Sequence, residues 1–213
     1  MLSSDSALLG GVLARYAGDL TGRAMLDLCS GTGILGLTAA RLGARATAVD
    51  ISRRAVACAR LNARLNNLTL EVLRGDLFEP VRGRRFDLIV SNPPYIPAPP
   101  GNTRRGAARA WDAGPDGRAF IDRICERAAE HLRPGGRVLM VQSSHARPEQ
   151  TQGRLAECGL EPAIVAEHAG KLSPVAYERL DYLRELGVAD HSLGERMVVL
   201  EGRVPARVPK VRA

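Results

Sequence analysis

The stretch that most constrains this chain is Asp87-Leu88-Ile89-Val90-Ser91-Asn92-Pro93-Pro94-Tyr95. The apolar run from Phe86 to Val90 predicts a short strand buried on both faces. The run must stop at Asn92, because two consecutive prolines offer a sheet no N–H and fix their own φ, and Pro93 also restricts the residue before it. An amide side chain, two proline carbonyls and an aromatic ring are thereby held at the carboxyl end of a strand, the place where open α/β sheets bind ligands. The chemistry suits an NH₂ nitrogen whose lone pair is delocalised into a carbonyl or a ring. Two acceptors gripping its N–H bonds, the Asn92 side-chain oxygen and the Pro93 carbonyl, turn that lone pair toward an electrophile. Tyr95 offers a face on which a flat acceptor group stacks. Such catalysis works by positioning and electrostatics and needs no strong base. Read blandly, the same residues are a proline-rich turn after a core strand.

A second signal lies upstream. Ala24 to Leu28 predicts the first strand, and Asp27-Leu28-Cys29-Ser30-Gly31-Thr32-Gly33-Ile34-Leu35-Gly36 leads into a helix over residues 34–42 that Gly43 closes. Gly31 and Gly33 let backbone approach a ligand, and the helix start offers free N–H groups. Residues 44–49 predict the second strand, ending in Asp50, whose carboxylate can take both hydroxyls of a ribose. Gly31, Gly33 and Gly36 also satisfy G-x-G-x-x-G, so a nicotinamide dinucleotide has to be weighed against other ribose-bearing cofactors. The acid at Asp27 and the lack of a Tyr-x-x-x-Lys pair or a dehydrogenase-type substrate domain count against the dinucleotide.

The remaining pattern alternates strand and helix. A helix over residues 5–16, with Ser4 or Asp5 as cap, carries Leu8, Leu9, Val12 and Leu13 and is expected to lie across the sheet edge. Further helices are expected over 53–66, 118–132 and 148–158. Further strands are expected over 69–74, 137–142, 160–167 and 196–200, the last two as an antiparallel pair. This predicts an α/β, Rossmann-like, doubly wound sheet of seven mostly parallel strands with an antiparallel edge. Residues 1–202 are expected to form one domain and 203–213 a basic tail. Residues 96–117, rich in Pro and Gly and holding Trp111, Arg104, Arg105 and Arg109, read as a substrate-side loop. Residues 173–190 read as a helical insertion.

Charge and cysteine usage bound the partners. The net charge of +7 points toward an acidic partner such as RNA or the ribosome. However, the 30 cationic side chains include only two lysines, Lys171 and Lys210, and such an arginine excess also arises from a GC-rich genome. Cys29, Cys58, Cys125 and Cys158 form no Cys-x-x-Cys, and the four histidines show no metal spacing, so a reducing cytoplasm without a zinc site is expected. Neither a signal peptide nor a membrane span is expected.

In order and spacing these features resemble the amino-methyltransferases that use S-adenosylmethionine (SAM), whose loop pattern is D-x-C/G-x-G-x-G. Most of Leu8 to Leu200 resembles the HemK family, the release-factor glutamine methyltransferases. The motifs that carry the likeness are Asp27-x-Cys29-x-Gly31-x-Gly33, Asp50, Gly75-Asp76-Leu77-Phe78, Ser91-Asn92-Pro93-Pro94-Tyr95-Ile96 and Gly114-Pro115-Asp116-Gly117. Ala110-Trp111-Asp112-Ala113-Gly114 is similar to the short branch that lacks a helical amino-terminal domain, in keeping with the 23 residues before the first expected strand. The resemblance implies SAM as cofactor. Asp27 would face its methionine end, Cys29, Gly31 and Gly33 its backbone cradle, and Asp50 and Ile51 its ribose. Asp76 would accept from the adenine amino group, Leu77 would pack on the ring, and Asn92 would border the cofactor. It implies Asn92, Pro93 and Tyr95 as the catalytic corner, a Gly-Gly-Gln glutamine of a release factor as substrate, and a small partner subunit of the kind the short branch often needs.

The residues leave three acceptors open. They are a protein glutamine, a nucleobase amino group such as adenine N6 or guanine N2, and the amino nitrogen of a small metabolite. A nucleic-acid substrate predicts a basic face running on from Arg104 and Arg105 and binding that weakens steeply with salt. A metabolite predicts a closed pocket.

Overall fold

A computed structural model describes residues 4–15, 20–101, 112–189 and 194–205 of the chain. Arg104, Arg105, Arg109, Trp111 and residues 206–213 lie outside the described residues, as does the middle of the expected substrate-side loop, residues 102–111.

The apolar runs become the middle of the sheet. β1 (Ala24–Leu28) and β4 (Phe86–Ser91) are parallel neighbours, with Leu26 opposite Ile89, and both are almost wholly buried. β2 (Arg45–Asp50) pairs parallel with β1, and β3 (Glu71–Arg74) with β2. On the other side β5 (Leu132–Ser143) pairs parallel with β4. β7 (Gly194–Arg203) runs antiparallel to both β5 and β6 (Glu161–Lys171). The order β3-β2-β1-β4-β5-β7-β6 is the expected seven-stranded mixed sheet, and its reversed strand, β7, sits second from the edge. The strand order turns back between β1 and β4, so the ligand crevice of such a sheet opens at their carboxyl ends.

Helix spacing explains the packing around the sheet. α2 (Ile34–Arg41) lies on β1 and β2, and α3 (Arg53–Leu65) on β2 and β3 through Val56, Ala59 and Ala63. α4 (Ile121–Ala128) buries Ile121, Ile124, Cys125 and Ala128 and packs on α5 (Pro148–Glu157). α1 (Ser4–Arg15) buries Leu9, Val12 and Leu13. It crosses the β5-β7-β6 side of the sheet, touching all three strands, the edge strand β6 among them, as well as α2. The insertion folds as two short helices, α6 (Pro174–Glu178) and α7 (Leu180–Glu185).

Several boundaries differ from the pattern: β6 and β7 run on beyond their expected ends, and α4 and β5 have identifiable causes. α4 is shorter than residues 118–132 because Arg118 is drawn out of it. Its guanidinium is buried, donating to the Ala146 carbonyl at 2.5 Å, to Thr151 Oγ1 at 3.0 Å and to Asp122 at 2.5 Å. β5 begins before Pro134-Gly135-Gly136 rather than after it. The register shift between Phe86 and Leu88 absorbs the kink, and a Cβ at Gly136 would stand 2.9 Å from the Arg133 carbonyl oxygen.

Candidate active site

The glycine loop and the proline corner meet where β1, β2 and β4 end. The Ser91 hydroxyl donates to the Leu28 carbonyl at 2.9 Å and ties the ends of β4 and β1 together. In the loop, Gly31 (φ 53°) and Gly33 (φ 78°) occupy the left-handed region, where a side chain is strained. A Cβ at Gly33 would also lie 2.9 Å from the Ala59 Cβ, so this glycine lets α3 close on the loop.

Two carboxylates brace the loop. Asp50 accepts from the Gly31 N–H and the Ser52 N–H, each at 2.8 Å, through different oxygens. Every carboxylate oxygen has two lone pairs, so both can still accept from ribose hydroxyls. Asp27 is fully buried, with Oδ2 accepting from the Gly36 N–H at 2.9 Å while Oδ1 has no hydrogen-bond partner. The buried Ser30 hydroxyl also lacks one. Cys29 holds a left-handed φ of 56°. Desolvation first, and the Asp50 charge second, push its thiol up to about 12, so it is no nucleophile near neutral pH.

Beside Asp50, Ile51 is 57% exposed and offers the open apolar surface an adenine ring needs. Leu77, expected to pack on that ring, is instead nearly buried in the core at a φ of 44°. Asp76 is part exposed and already engaged, since Arg123 of α4 donates to its carboxylate at 2.6 and 3.3 Å. An orphaned buried acid, a glycine cradle, an acid at the end of β2 and an exposed isoleucine next to it together fit SAM.

Asp27 carries a pH signature. Burial pushes its carboxyl from 3.8 to about 7, the Asp50 charge adds to the rise, and the Gly36 N–H opposes it. Between those two values the folded state holds a proton that the unfolded chain has lost, so stability falls as pH rises through that window. Asp27→Asn keeps an oxygen for Gly36 and removes the charge. Its melting temperature should exceed wild type at about pH 8 by clearly more than at about pH 4. Equal shifts at both would contradict this origin.

The proline corner is held from a distant part of the chain. The Asn92 Nδ2 donates to the Ser6 hydroxyl at 3.1 Å, which orients the amide and leaves Oδ1 to accept from a ligand. Tyr95 is 4% exposed, and its hydroxyl donates to Asp5 at 2.6 Å. Its ring is therefore fixed as a wall of the corner rather than standing open as a stacking face. Burial, then the Asp5 charge, pushes its pKa up. Asp5 is thus no helix cap. It projects into the site from the same face of α1 as the buried Leu9, Val12 and Leu13. A carboxylate on an apolar stripe was the signal by which Asp5 and Ser6 could have been found.

Behind the corner, a Cβ at Gly117 (φ 78°) would stand 2.5 Å from the Tyr95 carbonyl oxygen. Next to it a buried polar group comes together. The Ser143 hydroxyl lies 3.0 Å from His145 Nδ1 and 3.2 Å from Glu195 Oε2, and burial raises the Glu195 carboxyl. Among the described residues no cluster of His, Cys, Asp and Glu has the arrangement of a metal site, and no helix is long and apolar enough to cross a membrane.

Known proteins are similar to this chain in sequence and in fold. Residues 4–105 match the family model of the methyltransferase small domain. MJ0928 of Methanocaldococcus jannaschii, provisionally named a protein N5-glutamine methyltransferase, is 35% identical over 70% of this chain and 76% of its own length. Mouse methyltransferase HEMK2 is 32% identical over 75% of this chain and 78% of its own. The release factor glutamine methyltransferase of Geobacter sulfurreducens is 33% identical, and there the chain spans only 58% of the relative's length. Mtq2 of E. cuniculi, solved in complex with Trm112, superposes with a TM-score of 0.66 over 96% of this chain and 97% of its own at 22% identity, a likeness of fold. By fold, by motif order and by kinship along most of its length, the chain belongs to the HemK-type family of SAM-dependent glutamine methyltransferases.

Proposed function

We propose that this enzyme methylates the side-chain amide of a glutamine in a protein, with the Gly-Gly-Gln glutamine of a peptide release factor as the acceptor. The observation that carries the reading is the Asn92 amide at the end of β4, whose Nδ2 donates to the Ser6 hydroxyl and so leaves Oδ1 as the group to accept from a substrate. Asn92 Oδ1 and Pro93 O accept the two N–H bonds of the glutamine amide. That grip orients the nitrogen lone pair and stabilises the positive charge that develops on nitrogen as the new bond forms. Tyr95, locked by Asp5, walls the acceptor and keeps it in line. Bound SAM would supply an electrophilic sulfonium methyl, its S–CH3 bond breaking so that the sulfur leaves as a neutral thioether. Asp50 would hold its ribose hydroxyls, Ile51 would pack on the adenine, and Asp76 would accept from the adenine amino group while sharing its carboxylate with Arg123. Asp27 and the loop Cys29–Gly33 would enclose the methionine end. No side chain has to abstract a proton before transfer, because the methylated amide loses its proton readily to water afterwards.

The names of the relatives support the acceptor class. Those named for their targets act on release factors or on ribosomal protein uL3, and Mtq2 is described as methylating the termination factor eRF1. Mtq2 was solved with Trm112, and the proposal extends to a small partner subunit for this chain as well.

Methyl transfer from labelled SAM into cell extract, split into protein, nucleic-acid and small-molecule fractions, tests the reading. Label is expected in one protein of release-factor size, and it should vanish when the Gly-Gly-Gln glutamine is replaced. Label confined to nucleic acid or to small molecules would refute the glutamine acceptor.

A further inference from the structure

We propose that residues 173–188 are a strap that fixes the acceptor side of the site, with Arg179 as its positioning residue. Arg179 lies between α6 and α7, and its side chain is only 3% exposed. Its Nη1 donates to the Pro97 carbonyl at 3.0 Å and to the Ile96 carbonyl at 3.4 Å, and its Nη2 pairs with Asp112. These acceptors come from two separate stretches. Ile96 and Pro97 follow Tyr95 directly. Asp112 leads into the Gly114–Gly117 turn that backs the Tyr95 carbonyl.

The two stretches already touch, through a bridge between Ile96 and Asp112 and hydrogen bonds from the Ala113 N–H to the Ile96 carbonyl (3.3 Å) and from the Ala98 N–H to the Gly114 carbonyl (2.9 Å). Arg179 locks them with one fork of charge. The strap is tied down elsewhere as well. Tyr182 donates to the Pro115 carbonyl at 2.9 Å, Arg147 donates to the Leu186 carbonyl at 3.0 Å, and the Ser173 N–H donates to Glu195. The strap's own Ala176 and Leu183 are fully buried and anchor it to the body of the domain.

Burying a guanidinium is costly unless its donors are used, and the Arg179 Nε has no partner. A segment that merely filled space would bury an apolar side chain there. This one delivers its donors to backbone carbonyls one and two residues past the catalytic corner. Arg179 reaches none of the groups that would hold SAM on β1, β2 or the glycine loop. Its loss should therefore move the acceptor and spare the cofactor. This inference rests on the reading of Asn92–Tyr95 as the acceptor corner.

The test uses the full-length protein as wild type, Arg179→Met, Arg179→Lys, Asp112→Asn and the Arg179→Met/Asp112→Asn double variant, with Asn92→Ala alongside. The acceptor probe is a release factor carrying Gly-Gly-Gln. SAM affinity is read by calorimetry, acceptor KM and kcat by methyl transfer, and amide exchange at Ala98 and Ala113 by mass spectrometry. Arg179→Met is expected to raise acceptor KM about tenfold or more, leave SAM Kd within about twofold, and speed exchange at both amides. Arg179→Lys, which keeps charge but loses the fork, should fall between. The double variant should be no worse than Arg179→Met alone, since both remove one interaction.

An unchanged acceptor KM overturns the proposal, and so does a SAM Kd that rises in step with KM, which would mark Arg179 as a general scaffold residue. If Arg179→Met does not fold, Arg179→Lys and Asp112→Asn carry the same criteria. If Asn92→Ala keeps full turnover, the corner reading fails whatever Arg179 does. If wild type labels no release factor, the acceptor reading fails, and unchanged exchange at Ala98 and Ala113 would then sink the strap.

Discussion

Asn92→Ala should bind SAM as wild type does and turn over at least about a hundredfold more slowly. Removing one preorganised hydrogen-bond partner of the developing charge costs about 2.7–4 kcal/mol of transition-state stabilisation, or roughly two to three orders of magnitude in rate. The acceptor oxygen lost belongs to the side chain, and the Pro93 carbonyl cannot replace it, because one acceptor constrains the amide nitrogen along one N–H only. The substitution also removes the hydrogen bond from Asn92 to Ser6. Ser6→Ala separates the two effects, since it removes that bond and leaves Asn92 Oδ1 in place. It should slow turnover by much less. Comparing kcat and SAM Kd for the pair checks the assignment, and a wild-type rate in Asn92→Ala would remove Asn92 from the mechanism.

Gly117→Ala should damage both stability and rate. Its φ of 78° costs any L side chain about 1–2 kcal/mol. The added methyl would also meet the Tyr95 carbonyl oxygen at 2.5 Å and the Pro97 Cδ at 2.9 Å. Neither is a flexible side-chain end, and the backbone shift needed costs roughly another 1–3 kcal/mol. A total of about 2–5 kcal/mol corresponds to a fall of roughly 4–20 °C in melting temperature for a domain of this size. The displaced carbonyl belongs to the catalytic corner, and misplacement by about 1 Å can cost about a hundredfold in rate. Thermal melts and steady-state kinetics on the variant check both halves. Wild-type values in both would mean that the Gly114–Gly117 turn does not brace the corner.

How much was legible can be judged residue by residue. β4 and its end at Asn92 followed from composition alone, because proline's missing N–H is a local property. The loop through Gly31 and Gly33 was equally local, since the φ each adopts is one only glycine takes easily. Seven strands and an antiparallel pair at the carboxyl-terminal end of the chain came from the alternation of periods, with most ends right to within a few residues. The boundaries that slipped have long-range causes. Arg118 left its helix to reach Ala146 and Thr151, and β5 ran through Pro134 because the strand beside it could absorb a register shift.

The partners of the site were not legible. Tyr95 finds Asp5 90 positions away, Asn92 finds Ser6 86 positions away, and Arg179 finds Pro97 across 82. Periodicity showed that each of these stretches was ordered, and it carried no information on which polar side chains would face one another. By itself the sequence determined the strand ends, the turns that only glycine or proline can make, and hence the class of chemistry placed there. Only the tertiary structure decided what holds the corner still. Hydrogen bonds are short-ranged and directional, so their pairing is settled when the sheet order and the docking of α1 and residues 173–188 bring remote segments within 3 Å or so of each other.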